Sequence, residues 1–311
     1  GRLYVGDRLV HSSPGTAVGG IGGLDIGTAG EVSVAGGAAG GIVNNAGGEI
    51  TNAGTLYGEV ENNAGGTITS TGLVRGRFFQ NRGTTNAEGA ISHDIINRDA
   101  GVFNVTGALA AFHDFDLRET ALLNVTGGDL SVSGTLGHQS TAANGITIAA
   151  GRTLSADSVG IGDTNVNAVL LNNGTLTAAN TITNIGTVQN NGTINGGVEN
   201  WRSLTNTGTL NDGLVVRDGT VTNTGTVNGP IDVLGGTFIT HAGGQAADIN
   251  NQGSLVFDQA ADGAYAGIIP YKALTAMINR RGTQWWANAI RRAASVLVIE
   301  IGGEIAGYAT L

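Results

Sequence analysis

Cysteine is absent from this chain. That excludes disulfide staples and thiolate chemistry, and it suits a protein exported in an unfolded state. Proline occurs only three times in 311 residues, so a Pro-rich low-complexity chain is excluded. Lysine occurs once, at Lys272. Residues 1–261 carry 10 Arg against 21 Asp and Glu, a balance of −11, while residues 262–311 carry 5 basic residues against 3 acidic ones, a balance of +2. The long acidic part has no basic stripe, which argues against nucleic acid as a partner and against an electrostatic hold on anionic membranes. No run of about 18 apolar residues marks a membrane-spanning helix. The chain opens on Gly1 with no visible signal peptide and reads as a processed or excised fragment.

What is present is glycine, 54 residues of it, with regularly placed Val, Ile and Leu that a disordered Gly-rich linker would lack. A short phrase recurs: Asn173-Gly174-Thr175-Leu176, Ile185-Gly186-Thr187-Val188, Asn191-Gly192-Thr193-Ile194, Thr207-Gly208-Thr209-Leu210, Asp218-Gly219-Thr220-Val221 and Thr224-Gly225-Thr226-Val227. Gly and Asn accept the positive φ of a sharp corner, whereas Thr and the aliphatic residue favour extended chain. One unit is too short to bury anything, but stacked units share a core. The expected fold is all-β, a parallel β-helix (solenoid) over residues 1–260, with Val221 pointing inward.

The repeat length supports stacking. Asn44-Asn45-Ala46-Gly47-Gly48 returns as Asn62-Asn63-Ala64-Gly65-Gly66 after eighteen residues, and Phe103-Asn104-Val105-Thr106-Gly107 as Leu123-Asn124-Val125-Thr126-Gly127 after twenty. A shift near eighteen suits one coil of a three-sided helix and stacks corner asparagines into a hydrogen-bonded ladder. Asn44, Asn62, Asn173, Asn191, Asn206 and Asn223 are its expected members. At roughly 4.8 Å per rung the rod would be on the order of 60 Å long. Near the start, Gly19-Gly20-Ile21-Gly22-Gly23-Leu24-Asp25 reads as an ordinary Gly-rich turn.

At about Ala260 the character changes. Residues 261–311 hold two of the three Trp and the only Met. Pro270 opens an expected helix with Leu274, Met277 and Ile278 on one face, ended by Gly282. A second is expected over Thr283 to Ala293. Ser295–Ile301 and Glu304–Leu311 then read as a hairpin around Gly302-Gly303. This is a small α+β C-terminal appendage.

The Asn-x-Gly-Thr phrases of residues 31–260 resemble the passenger region of bacterial autotransporters. That resemblance implies a right-handed parallel β-helix and a secreted or surface-displayed adhesin or scaffold. It further implies an outer-membrane barrel in the same precursor, and as partners a host-cell surface or matrix component, or other cells. The tail, Ala264-Tyr265-Ala266-Gly267-Ile268 through Leu311, resembles the opening part of a GNAT-family N-acetyltransferase. That family binds acetyl-CoA pyrophosphate on a Q/R-x-x-G-x-G/A turn, which would follow Leu311. No residue here is given the cofactor role, no cofactor is expected, and the junction reads as a fused or truncated frame.

Catalysis has one candidate cluster, His113-Asp114-Phe115-Asp116. Two carboxylates spaced by two share one side of a strand, and a carboxylate pair can cleave a glycosidic bond. The enzymatic alternative is therefore a polysaccharide lyase or hydrolase, beside the incomplete transferase. His93-Asp94, twenty residues earlier, would lie one coil below, and His93, His113, Asp114 and Asp116 are the residues that a metal site would need. No basic cluster is present to hold an acidic sugar, and a solvated face is the plainer reading. There is no G-x-S-x-G elbow and no Walker sequence. Phe78-Phe79 and Trp201 are each either core fillers or exposed contacts.

Overall fold

The computed structural model describes residues 41–258 apart from 163–165, 242 and 247. It also gives the backbone of the strands Arg2–Val5, Arg8–His11, Leu24–Ile26, Glu31–Val34, Val296–Ile301 and Glu304–Thr310. One continuous sheet of 33 strands winds into a parallel β-solenoid of about 12 turns. Residues 19–23 of the glycine turn and both expected C-terminal helices lie outside the described residues. The last two strands pair antiparallel, Val296 with Thr310.

The coil has three faces. The first runs from Arg2–Val5 through Glu31–Val34 and Thr55–Tyr57 to Gln245–Ala246. The second runs from Arg8–His11 through Gly41–Asn44 and Val60–Asn62 to Ile249–Asn251. The third runs from Leu24–Ile26 through Glu49–Asn52 and Thr67–Ser70 to Ser254–Asp258. All of these pairings are parallel, and each residue sits over its counterpart one coil away. A coil takes 16 residues from Asn184 to Asn200, 18 from Asn44 to Asn62 and 20 from Asn104 to Asn124.

Alternation along each strand builds the core. Thr193–Asn200 alternates half-buried and buried without a break while turning from the first face to the second at Gly196, whose φ of 113° only glycine adopts freely. Inward residues stack in columns such as Leu170, Val188, Leu204, Val221 and Phe238, all fully or nearly fully buried. Val221 points inward, as its place in the repeat predicts. Phe79, Phe103 and Phe115 fill the interior with edge-to-face rings 6.1 and 5.1 Å apart. Such pairs add to the gain from buried area.

At most of its corners the Gly-Thr refrain has a steric cause that differs from the expected one. Gly174, Gly192, Gly208 and Gly225 do not have positive φ. Each instead lies against the coil below: a Cβ on Gly192 would overlap the Gly174 carbonyl, one on Gly208 the Gly192 carbonyl, and one on Gly225 the Gly208 carbonyl. Those carbonyls accept N–H bonds of 2.8 Å from Thr193, Thr209 and Thr226. At these four corners glycine is thus required by close approach of stacked corners, whereas Gly219 of the same refrain (φ 68°), and Gly47 and Gly65 of the longer corners (φ 77° and 80°), hold the expected left-handed conformation.

Candidate functional site

The corner side chains decide what faces the core and what faces outward. Asn44 donates through Nδ2 to Asn62 Oδ1 at 2.8 Å, Asn62 to Asn81 at 2.8 Å, and Asn81 to Asn97 at 2.8 Å. All four are buried where the second face turns into the third. This ladder is interrupted by Leu117, His138 and Ile161, then resumes from Asn184 to Asn200 at 2.7 Å. A separate ladder stands where the third face turns into the first: Asn172 to Asn190, Asn190 to Asn206 and Asn206 to Asn223, each 2.7 Å. These amides also donate to backbone carbonyls of the next coil, Asn172 to Thr193 O and Asn190 to Thr209 O. That satisfies corner groups which have left the sheet ladder.

Asn44, Asn62, Asn206 and Asn223 therefore lie in buried ladders, in two columns rather than one. Asn173 and Asn191 do not. They pair with each other at 2.8 Å on the exposed side, where Thr207 donates to Asn191. In Asn172-Asn173 and Asn190-Asn191 the inward member is the one two residues before glycine, and in Asn44-Asn45 and Asn62-Asn63 the one three residues before it. At the shorter spacing the amide Oδ1 can take the glycine N–H, as Asn172 does from Gly174 at 3.2 Å and Asn184 from Gly186 at 3.1 Å. That Asx-type spacing was the legible signal.

The His113-Asp114-Phe115-Asp116 cluster is divided by the same alternation. Phe115 is buried, Asp116 is half-buried and faces outward, and His113 and Asp114 are exposed before the strand begins. Asp114 Oδ1 accepts the Thr135 N–H at 2.7 Å, and Asp116 Oδ2 pairs with Arg118 Nη2 at 2.6 Å. A glycosidase acid needs a carboxyl in a dry, apolar setting, which neither has. His93 turns into the core, with Nε2 3.0 Å from Gly58 O, and burial pushes its pKa below the ordinary value against the opposing pull of that carbonyl. His93 and His113 thus fall on opposite sides of the wall. Among the described residues no three His, Asp or Glu converge as a metal set.

The two aromatic alternatives are resolved. Phe79 is a core filler, and Phe78 is half-buried with the Arg77 guanidinium 5.2 Å from its ring centroid. Trp201 is 45% exposed, so it is a surface residue just past the corner after Asn200. The Arg217 guanidinium stands 6.0 Å from its ring centroid and also pairs with Glu199 at 2.5 Å. Beside this group is a groove of about 250 Å³, lined among others by Thr181, Gly197, Glu199, Asp212, Gly213 and Asp232. Sequence reading missed these residues because they come from four successive coils. The Trp201 side chain, alone of its kind in the repeat, was the one pointer to them.

Comparison of the chain with family models, curated proteins and solved structures finds no match.

Proposed function

We propose that this chain is a secreted or surface-displayed passenger of the autotransporter type, an adhesin or scaffold that acts by binding through the faces and loops of its solenoid. The rod itself carries this reading. Its exterior is a lattice of Asn, Thr, Gly and scattered carboxylates, held rigid by buried amide ladders. Such a surface presents many hydrogen-bonding positions at fixed spacing. The arrangement of Asp114 and Asp116, each engaged by a local donor, supports binding over hydrolysis. On this reading the partners are a host-cell surface or matrix component, or other cells, and an outer-membrane barrel of the same precursor delivers the rod. The tail keeps its resemblance to the start of an acetyltransferase, and the antiparallel pair Val296–Ile301 with Glu304–Thr310 is compatible with that family's hairpin.

The test is to express the chain ahead of an outer-membrane barrel in a Gram-negative host. Protease shaving and antibody labelling of intact cells should find it outside, and the cells should adhere to matrix-coated surfaces better than barrel-only cells. Retention in the periplasm, or adhesion equal to the control, would count against the proposal.

A further inference from the structure

We infer that the groove beside Trp201 binds a neutral hexopyranose oligosaccharide laid along the rod; this rests on the binding reading above and adds the class of ligand. The second face supplies three outward columns here. One runs Thr181, Gly197, Gly213 and Pro230, and the next runs Thr183, Glu199, Val215 and Asp232. Trp201 and Arg217 stand beyond Glu199. The first column is cut to backbone at Gly197 and Gly213, neighbouring rungs roughly 5 Å apart; Gly213 is buried beside the Pro230 ring, so the open floor is at Gly197. Gly213 has φ 92° and is glycine for conformational reasons. Gly197 is not: a Cβ there would meet only Asp212 O, at 3.6 Å. Its open floor is a feature that the fold does not demand.

The walls suit sugar hydroxyls. Each carboxylate is fixed through one oxygen: Glu199 Oε1 by Arg217 at 2.5 Å, Asp212 Oδ2 by the Gly196 N–H at 3.0 Å, and Asp232 Oδ1 by Asn250 Nδ2 at 3.1 Å. Each has this one protein partner among the described residues, which leaves the groove lined by three anchored carboxylates with an oxygen to spare. Asp212 holds φ 70°, a left-handed corner conformation that it shares with Asp99 and Glu119. Arg217 links the groove to Trp201, since the same guanidinium pairs with Glu199 and stands over the indole. Trp201 is not itself on the groove lining, but lies past Arg217, and its half-open indole offers an apolar surface for the C–H face of a pyranose that extends beyond the groove. Three carboxylates against one guanidinium select hydroxyl donors and repel uronates.

The experiment is calorimetric titration of the full chain with cellohexaose, chitohexaose and hexagalacturonate. At least one neutral hexamer should bind with Kd below about 1 mM, and hexagalacturonate should bind more weakly. Trp201→Ala removes the apolar surface and Gly197→Val fills the groove; each should weaken binding by roughly tenfold or more while melting like the parent, because neither side chain is part of the core. The inference is overturned if neither neutral hexamer binds, if both variants bind like the parent, or if hexagalacturonate is preferred. Surface display and adhesion are read separately, so failure here with intact adhesion removes the ligand and leaves the passenger proposal standing.

Discussion

Replacing Asn206 by Ala tests the inner ladder most directly. Asn206 is fully buried, its Nδ2 donates to Asn223 Oδ1 at 2.7 Å and to Thr226 O at 3.3 Å, and its Oδ1 accepts from Asn190 at 2.7 Å. Alanine removes all three, together with the longer bond from Nδ2 to Gly208 O at 3.3 Å. The losses are unequal. Asn190 Nδ2 retains Thr209 O at 3.1 Å, whereas Asn223 Oδ1 is stranded in the core without its donor. Stranding a buried acceptor costs about 1–3 kcal/mol and each lost bond about 1 kcal/mol, so the whole is about 3–5 kcal/mol. Asn191→Ala, in the exposed pair beside it, removes similar chemistry in contact with water and should cost less than about 1 kcal/mol. Urea unfolding gives both values, and hydrogen exchange over residues 187–227 should show loss of protection confined to the coils around Asn206, since coils couple mainly to their neighbours. Equal costs for the two variants would refute the inner–outer distinction.

Three further outcomes are expected. Gly208→Ala should lower the melting temperature sharply, because its Cβ would overlap the Gly192 carbonyl, while Gly160→Ala, with nothing within 4 Å, should melt like the parent. Val221→Asp strands a charge in a fully buried position and should cost several kcal/mol (roughly 3–5) by the same unfolding assay. His138 is buried, its Nε2–H donates to Val169 O at 2.8 Å and its Nδ1 accepts the Ser140 N–H at 3.4 Å; burial, against the pull of the Val169 carbonyl, lowers its pKa to about 4. The folded state resists a proton that the unfolded chain takes up below the ordinary value of about 6.5. Stability should therefore be full above pH 6.5 and fall by about 3 kcal/mol by pH 4. Buried His93 acts in the same direction. His138→Asn should reduce the acid sensitivity measured as urea midpoint against pH; an unchanged slope would show that His138 is not its source.

The sequence by itself determined the repeat and therefore the fold. Gly-Thr-aliphatic phrases that return after about one coil at a given corner, as at Gly174, Gly192, Gly208 and Gly225, point to stacking, because each strand must alternate and each corner must admit the carbonyl below it. The stacking of Asn44 under Asn62 and of Asn104 under Asn124 was likewise legible, since identical neighbours recurred at a fixed shift. Tertiary structure decided facing and company. Asn172 and Asn173 are the same residue type side by side, and only the phase of the strand relative to its corner sends one amide inward and the other out. The same phase buries His93 and exposes His113. It also gathers Gly197, Glu199, Asp212 and Asp232 around one groove, although coils of different length separate them in the chain. Local pattern is a short-range property that each segment carries alone; which residues become neighbours across coils depends on the length of every corner between them, and that is settled only when the rungs stack.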